Sequence, residues 1–275
     1  MFLREYTGRG VRVAVVDSGV HATHPHVGAV EEGIAVREDG SLDEDFVDRL
    51  GHGTAVTAVI REKSPDAGII IVKVFWGRLT TDITSLVRGI DEATARGAAV
   101  VNLSLGTANA AHRPLLQEAV QRVSMRRAVI VAATEDTIDW LPGTLEGVIP
   151  AALDWTCPRD EYRLITHRGR RAIATSGYPR DIPNVPRDRN VKGISFAVAN
   201  ASGFVARARE LLPRDDPSAI WKALETGLPG AGLKDRLARS NCDRRFRRTH
   251  AIRLRCEPSG ARPHRVDLAG RRVLD

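Results

Sequence analysis

The chain has 275 residues, 43% hydrophobic and 27% charged, which excludes a disordered chain and allows a full buried core. No apolar run reaches the roughly 18 residues of a membrane span, so no membrane partner is expected. Net charge is +7, but residues 234–275 hold 13 Lys/Arg against 5 Asp/Glu, a net +8 that leaves residues 1–233 at −1. The basicity belongs to the tail, which could meet an acidic partner; the nearly neutral body gives nucleic acid no footing.

Residues 1–5 (MFLRE) contain no apolar stretch and no cleavage site, so no secretory signal is expected. The three cysteines, Cys157, Cys242 and Cys256, are odd in number and lack zinc spacing. They predict a reduced, cytoplasmic protein without a metal site; a Cys242–Cys256 bridge is the alternative. His21, His24 and His26 are dense in sequence, but no metal is assigned to them.

In chain order, residues 10–16 (GVRVAVV) predict a buried strand ending at Asp17-Ser18-Gly19. Residues 27–48 are polar and predict loops with one short strand. Gly51-His52-Gly53-Thr54 then places a histidine at the mouth of a small-residue helix. Residues 68–74 (GIIIVKV) predict a second buried strand, and 81–96 a helix whose apolar face carries Ile83, Leu86, Val87 and Ile90. Strands are expected at 98–105, 128–133 and 148–153, with a helix at 114–125 between the first two. Residues 159–189 predict loops; a small-residue helix runs from about Ser195 to Leu212, and another spans 217–224. Alternating strands and helices predict a parallel sheet with helices on both faces. In the tail, the alternating stretches 251–256 and 265–268 around a Pro-Ser-Gly turn predict a small β-hairpin.

Alone, Ser195 reads as a helix N-cap and Asp17 as a loop acid. Together with His52 they stand in the order Asp, His, Ser, each beside glycine or small residues. That order is one of the serine-triad arrangements, with subtilisin as its worked example. Residues 13–20 (VAVVDSGV) with His24-Pro25, Gly51-His52-Gly53-Thr54, Asn102-Leu103-Ser104-Leu105-Gly106 and Gly193-Ile194-Ser195-Phe196-Ala197 resemble successive blocks of the subtilisin-like serine proteases, the subtilases. The resemblance covers roughly residues 6–233. It implies a three-layer α/β/α domain with a mainly parallel sheet over residues 1–233, which leaves the basic residues 234–275 as an extension. It implies that Ser195 is the nucleophile, His52 the general base and Asp17 the group that orients it. Ser104, Leu105 and Gly106 would pair with an extended peptide substrate, with Trp76 and Gly77 lining the other side of the groove. No cofactor is implied.

The chain departs from the family pattern at several places. The asparagine that usually supplies the second oxyanion donor is missing; Thr134, Glu135 and Asp136 stand there, with Glu135 or Asp136 at its position. A residue bulkier than glycine at Thr134 or Glu135 predicts a pocket for a small side chain before the cut. Ala199 replaces the proline usual four residues after the nucleophile, and Phe196 the usual methionine. The expected function is a serine endopeptidase of narrow specificity that processes a precursor peptide, such as one in ribosomal peptide natural-product maturation. The alternatives are a transpeptidase or macrocyclase on the same chemistry, or a binding protein with an impaired site.

Overall fold

The computed structural model describes residues 3, 5–212, 219–226, 253–254 and 266–267. The β-branched run after Gly10 forms β1 (Arg12–Asp17), and the isoleucine run forms β4 (Gly68–Lys73). Between them lie β2 (Glu32–Val36), β3 (Leu42–Asp43) and helix α1 (His52–Lys63). There follow α2 (Ile83–Ala95), β5 (Val100–Leu103), the short β6 (Gly106–Thr107), α3 (Arg113–Met125), β7 (Val129–Ala133) and β8 (Val148–Leu153). The body closes with β9 (Arg163–His167), β10 (Arg170–Thr175), α4 (Ile194–Leu211) and α5 (Ala219–Thr226).

Nine strands form one sheet in the order β3-β2-β4-β1-β5-β7-β8-β10-β9. The seven inner strands pair parallel; β3 and β9 add antiparallel at the two edges. Alternation along the strands feeds two cores. Val13, Val15, Ile69, Ile71, Val129 and Val131 pack with α1, α4 and α5, whereas Ala14, Val16, Ile70, Val72 and Ile130 pack with α2 and α3. Both faces are covered, which is why these strands read as continuous apolar runs. Each such Val or Ile contributes about 1.5–3 kcal/mol by burial.

Two expectations are corrected. Residues 163–175, read as loop, form an antiparallel hairpin whose two-residue turn is Arg168-Gly169, both at positive φ (50° and 75°). That turn suits the right-handed twist of the strands. Ser195 is not the cap of its helix: Gly193 is the N-cap, and Ser195 is the second helical residue. Alanine at position 199 leaves α4 an unbroken helix, buried from Ile194 to Arg209.

Among the described residues no helix is long and apolar enough to cross a membrane. In the tail, β11 (Arg253–Leu254) pairs antiparallel with β12 (Val266–Asp267) and parallel with β6. The rest of the expected extension, its boundary at 233, Cys242 and Cys256 lie outside the described residues.

At the far end of α4, Glu210 accepts hydrogen bonds from the backbone N–H groups of Thr7 and Gly8 at 2.6 Å and of Arg9 at 3.1 Å.

Candidate active site

The carboxyl ends of parallel strands are where open α/β sheets place their sites, because loops and helix starts converge there. Asp17 ends β1, Ser104 follows β5, and Thr134 follows β7. Helix α1 begins at His52, and α4 brings Ser195 in its first turn.

Asp17 is fully buried, and His52 Nδ1 lies 2.8 Å from its Oδ1 and 3.0 Å from its Oδ2. The carboxylate fixes the proton on Nδ1 and leaves Nε2 free to accept one. Nε2 is buried and has no hydrogen-bond partner among the described residues. Burial opposes protonation of His52, but the charge and hydrogen bond of Asp17, with the charge of Asp48, outweigh it and raise the imidazole above its ordinary value. The ring of Phe196 lies 6.1 Å from the His52 ring, between centroids.

Ser195 is buried, and its Oγ donates to the carbonyl oxygen of Ser104 at 3.2 Å. Ser104 Oγ in turn lies 3.0 Å from both Asn102 Oδ1 and the Ser195 carbonyl. Asn102 Nδ2 donates to Ser202 Oγ at 2.9 Å, and Thr175 Oγ1 to the Ala197 carbonyl at 2.7 Å. These bonds fix α4 against β5 and β10, so the helix that carries Ser195 is held by groups from two strands. The structure thus joins Asp17 to His52 and Ser195 to Ser104.

The other sequence-predicted residues are placed as follows. Leu105 is buried, and a Cβ on Gly106 would come 2.9 Å from the Leu141 carbonyl oxygen, so this close approach requires glycine. Gly77 is exposed, and Trp76 Nε1 donates to the Val36 carbonyl at 2.9 Å. Lys73 Nζ and the Arg37 guanidinium lie over the Trp76 ring, 4.3 and 4.7 Å from its centre. Thr134 is buried, and its N–H is taken by the Ala151 carbonyl at 2.9 Å, which leaves its hydroxyl as the group to offer. Glu135 is half-buried; the Asp136 side chain is 77% exposed and 3.3 Å from His167 Nδ1. A cavity of about 190 Å³ adjoins Thr134 and is lined also by His167, Arg168 and Arg170. Among the described residues no group of three His, Cys, Asp or Glu is arranged to hold a metal ion.

Sequence reasoning passed over Asp48 and Ser18. Ser18 Oγ donates to Asp48 Oδ1 at 2.9 Å and accepts from the Gly53 N–H at 2.9 Å. An acid four residues before a histidine at a helix start is the available signal, since such a carboxylate can reach back to the first-turn N–H groups.

A Coccidioides posadasii subtilisin-like protease is 39% identical over 116 residues, 38% of this chain and 28% of the relative. The minor extracellular protease Epr of Bacillus subtilis is 31% identical over 137 residues, 46% of this chain and 20% of the relative. The chain therefore matches less than a third of the length of these curated relatives. Among solved structures, the nisin leader peptidase NisP from Lactococcus lactis superposes with a TM-score of 0.59 at 17% identity, covering 82% of this chain and 84% of that one. The prenylagaramide maturation protease PagA gives 0.56 at 23% identity, covering 77% and 80%. These two likenesses establish the shared fold. The Subtilase family model matches residues 8–185, a span that includes Asp17 and His52 and stops short of Ser195. The chain belongs to the subtilase family.

Proposed function

We propose that this protein is a serine endopeptidase of narrow specificity that cuts a precursor peptide through an acyl-enzyme. The observation that carries it is the buried Asp17–His52 pair with a free Nε2, at the strand edge where α4 delivers Ser195. The Ser195 hydroxyl turns from the Ser104 carbonyl toward His52, which takes its proton as Oγ attacks the scissile carbonyl. The imidazolium, held by Asp17, returns that proton to the leaving amine. Water then attacks the acyl-enzyme by the reverse route. The oxyanion lies against the first-turn N–H groups of α4, including that of Ser195, which have no partner four residues back. The Thr134 hydroxyl supplies the second donor; Asp136, turned outward to His167, does not. The extended substrate pairs along Ser104–Gly106, and Thr134 favours a small side chain before the cut.

The substrate class follows NisP and PagA, a leader peptidase and a maturation protease of the same fold. A reducing, cytoplasmic setting belongs to this reading and rests on the odd count of three cysteines without zinc spacing. A second reading, a binding protein with an impaired site, is favoured by the Ser195 hydroxyl bonding to Ser104. Cleavage mapping on a random peptide library separates the two: the enzyme yields one narrow set of cuts that Ser195→Ala abolishes. Products with an added amine in place of water would instead indicate peptide transfer.

A further inference from the structure

Asp48 lies four residues before His52, buried, in the turn that leads into α1. Its carboxylate collects five hydrogen bonds. Oδ1 accepts from Ser18 Oγ at 2.9 Å, Leu50 N–H at 2.9 Å and Gly51 N–H at 2.8 Å. Oδ2 accepts from Thr54 N–H at 2.8 Å and Thr54 Oγ1 at 2.6 Å. A carboxylate offers about four lone-pair sites, so this one is saturated.

The donors come from two places. Leu50, Gly51 and Thr54 belong to the start of α1, on either side of His52. Ser18 follows Asp17, and its own N–H donates to Asp17 Oδ1 at 2.7 Å. Ser18 Oγ also receives the Gly53 N–H. The N-cap residue Gly51 contributes no side-chain cap, so Asp48 and Ser18 together satisfy the Thr54 and Gly53 N–H groups that a helix start leaves open. The two segments that carry the acid and the base are therefore stitched through one buried charge.

We propose that Asp48 is a positioning residue for the reaction: its carboxylate locks the start of α1 to the segment after Asp17 and so fixes His52 against Asp17. This rests on the assignment of Asp17, His52 and Ser195 as the reaction centre. Helix capping alone would stabilise the fold and leave the histidine's chemistry untouched; a positioning role reaches His52 itself. The charged groups that bear on His52 are Asp17 on β1 and Asp48. Lys73 on β4 sits near Asp48, with its Nζ on the Val47 carbonyl at 2.8 Å.

The test uses the full chain with Asp48→Asn and Ser18→Ala, each checked for folding by near-ultraviolet circular dichroism. Two quantities are read: the rate of Ser195 labelling by a fluorophosphonate across pH, and the titration of the assigned His52 imidazole by NMR. Asp48→Asn removes the charge and turns one acceptor into a donor. It slows labelling by about 10- to 100-fold, the cost of a misplaced catalytic group. It also moves the acid limb of the labelling profile, and the His52 titration, to lower pH. Ser18→Ala keeps the charge, so labelling slows less and the limb stays in place. A folded Asp48→Asn that labels at the wild-type rate with an unmoved His52 titration overturns the proposal, even if its melting temperature falls. If Asp48→Asn does not fold, wild-type labelling by Ser18→Ala overturns it. If wild type itself resists the probe, the proposed function fails. The His52 titration then decides Asp48 by itself, and an unchanged curve in folded Asp48→Asn counts against it.

Discussion

The Ser195 hydroxyl donates to the carbonyl oxygen of Ser104 at 3.2 Å, while the buried Nε2 of His52 has no partner among the described residues. Under the proposed function, an extended substrate that pairs its backbone along Ser104–Gly106 would compete for that carbonyl and free the hydroxyl to turn to His52.

The exchange costs little, since a neutral hydrogen bond is worth about 0.5–1.5 kcal/mol net. Wild type is expected to take up one fluorophosphonate on Ser195, seen as a single mass shift in the intact protein, and Ser195→Ala none. Peptide cleavage by Ser195→Ala is expected to fall by at least about 10³-fold. Stoichiometric labelling of Ser195→Ala would place the nucleophile elsewhere.

The raised proton affinity of His52 sets a pH window. His52 must be neutral to act as base, so the acid limb of labelling is expected above the ordinary histidine value of about 6.5. The same shift has a stability consequence of opposite sense. Its contribution is complete below the unfolded value and is lost as pH rises through the folded one. Asp17→Asn removes the main source of both effects. Labelling should drop by about 10⁴-fold, and the His52 titration measured by NMR should fall to lower pH.

Gly53 offers a geometric test of the same pair. A Cβ there would come 2.2 Å from the Gly19 carbonyl oxygen and 3.2 Å from Asp17 Oδ1, so the backbone must shift. Gly53→Ala is expected to slow labelling by about 100-fold, the cost of roughly 1 Å of misplacement. A wild-type rate in a folded Gly53→Ala protein would show that the contact relaxes without moving Asp17 or His52.

Burial pushes the Cys157 thiol up to about 12, and its Sγ faces the Glu161 carbonyl at 3.4 Å. Because the thiolate is the reactive form, Cys157 is expected to resist iodoacetamide in the native protein and to react once denatured. Peptide mapping of the alkylated cysteine reads this directly, and prompt native labelling of Cys157 would contradict it.

How much of this was legible in the sequence depends on the range of each interaction. Val13–Val16 and Ile69–Val72 announced inner strands because burial on both faces demands continuous apolar side chains. The β9–β10 hairpin was hidden because, as an edge pair, it is rich in arginine. Its Arg168-Gly169 turn lacks the usual Asn-Gly signal. The order of Asp17, His52 and Ser195 was readable, since each stands in a local motif. The Ser104 acceptor of Ser195 was not, because the two are 91 residues apart. Asp48 escaped for the same reason: its bond to Ser18 spans 30 residues, and its helix-start bonds depend on a turn that no propensity specifies.

Glu210 gives the molecule a different property. One carboxylate at the end of α4 gathers three N–H groups of residues 7–9, more than 200 residues earlier in the chain. The stretch between them is a ring closed without a covalent bond, and the helix that starts beside Ser195 is one side of its clasp. Loosening residues 7–9 and loosening the end of α4 are therefore one event. Cooperative unfolding of this body should release the stretch before β1 and the end of α4 together.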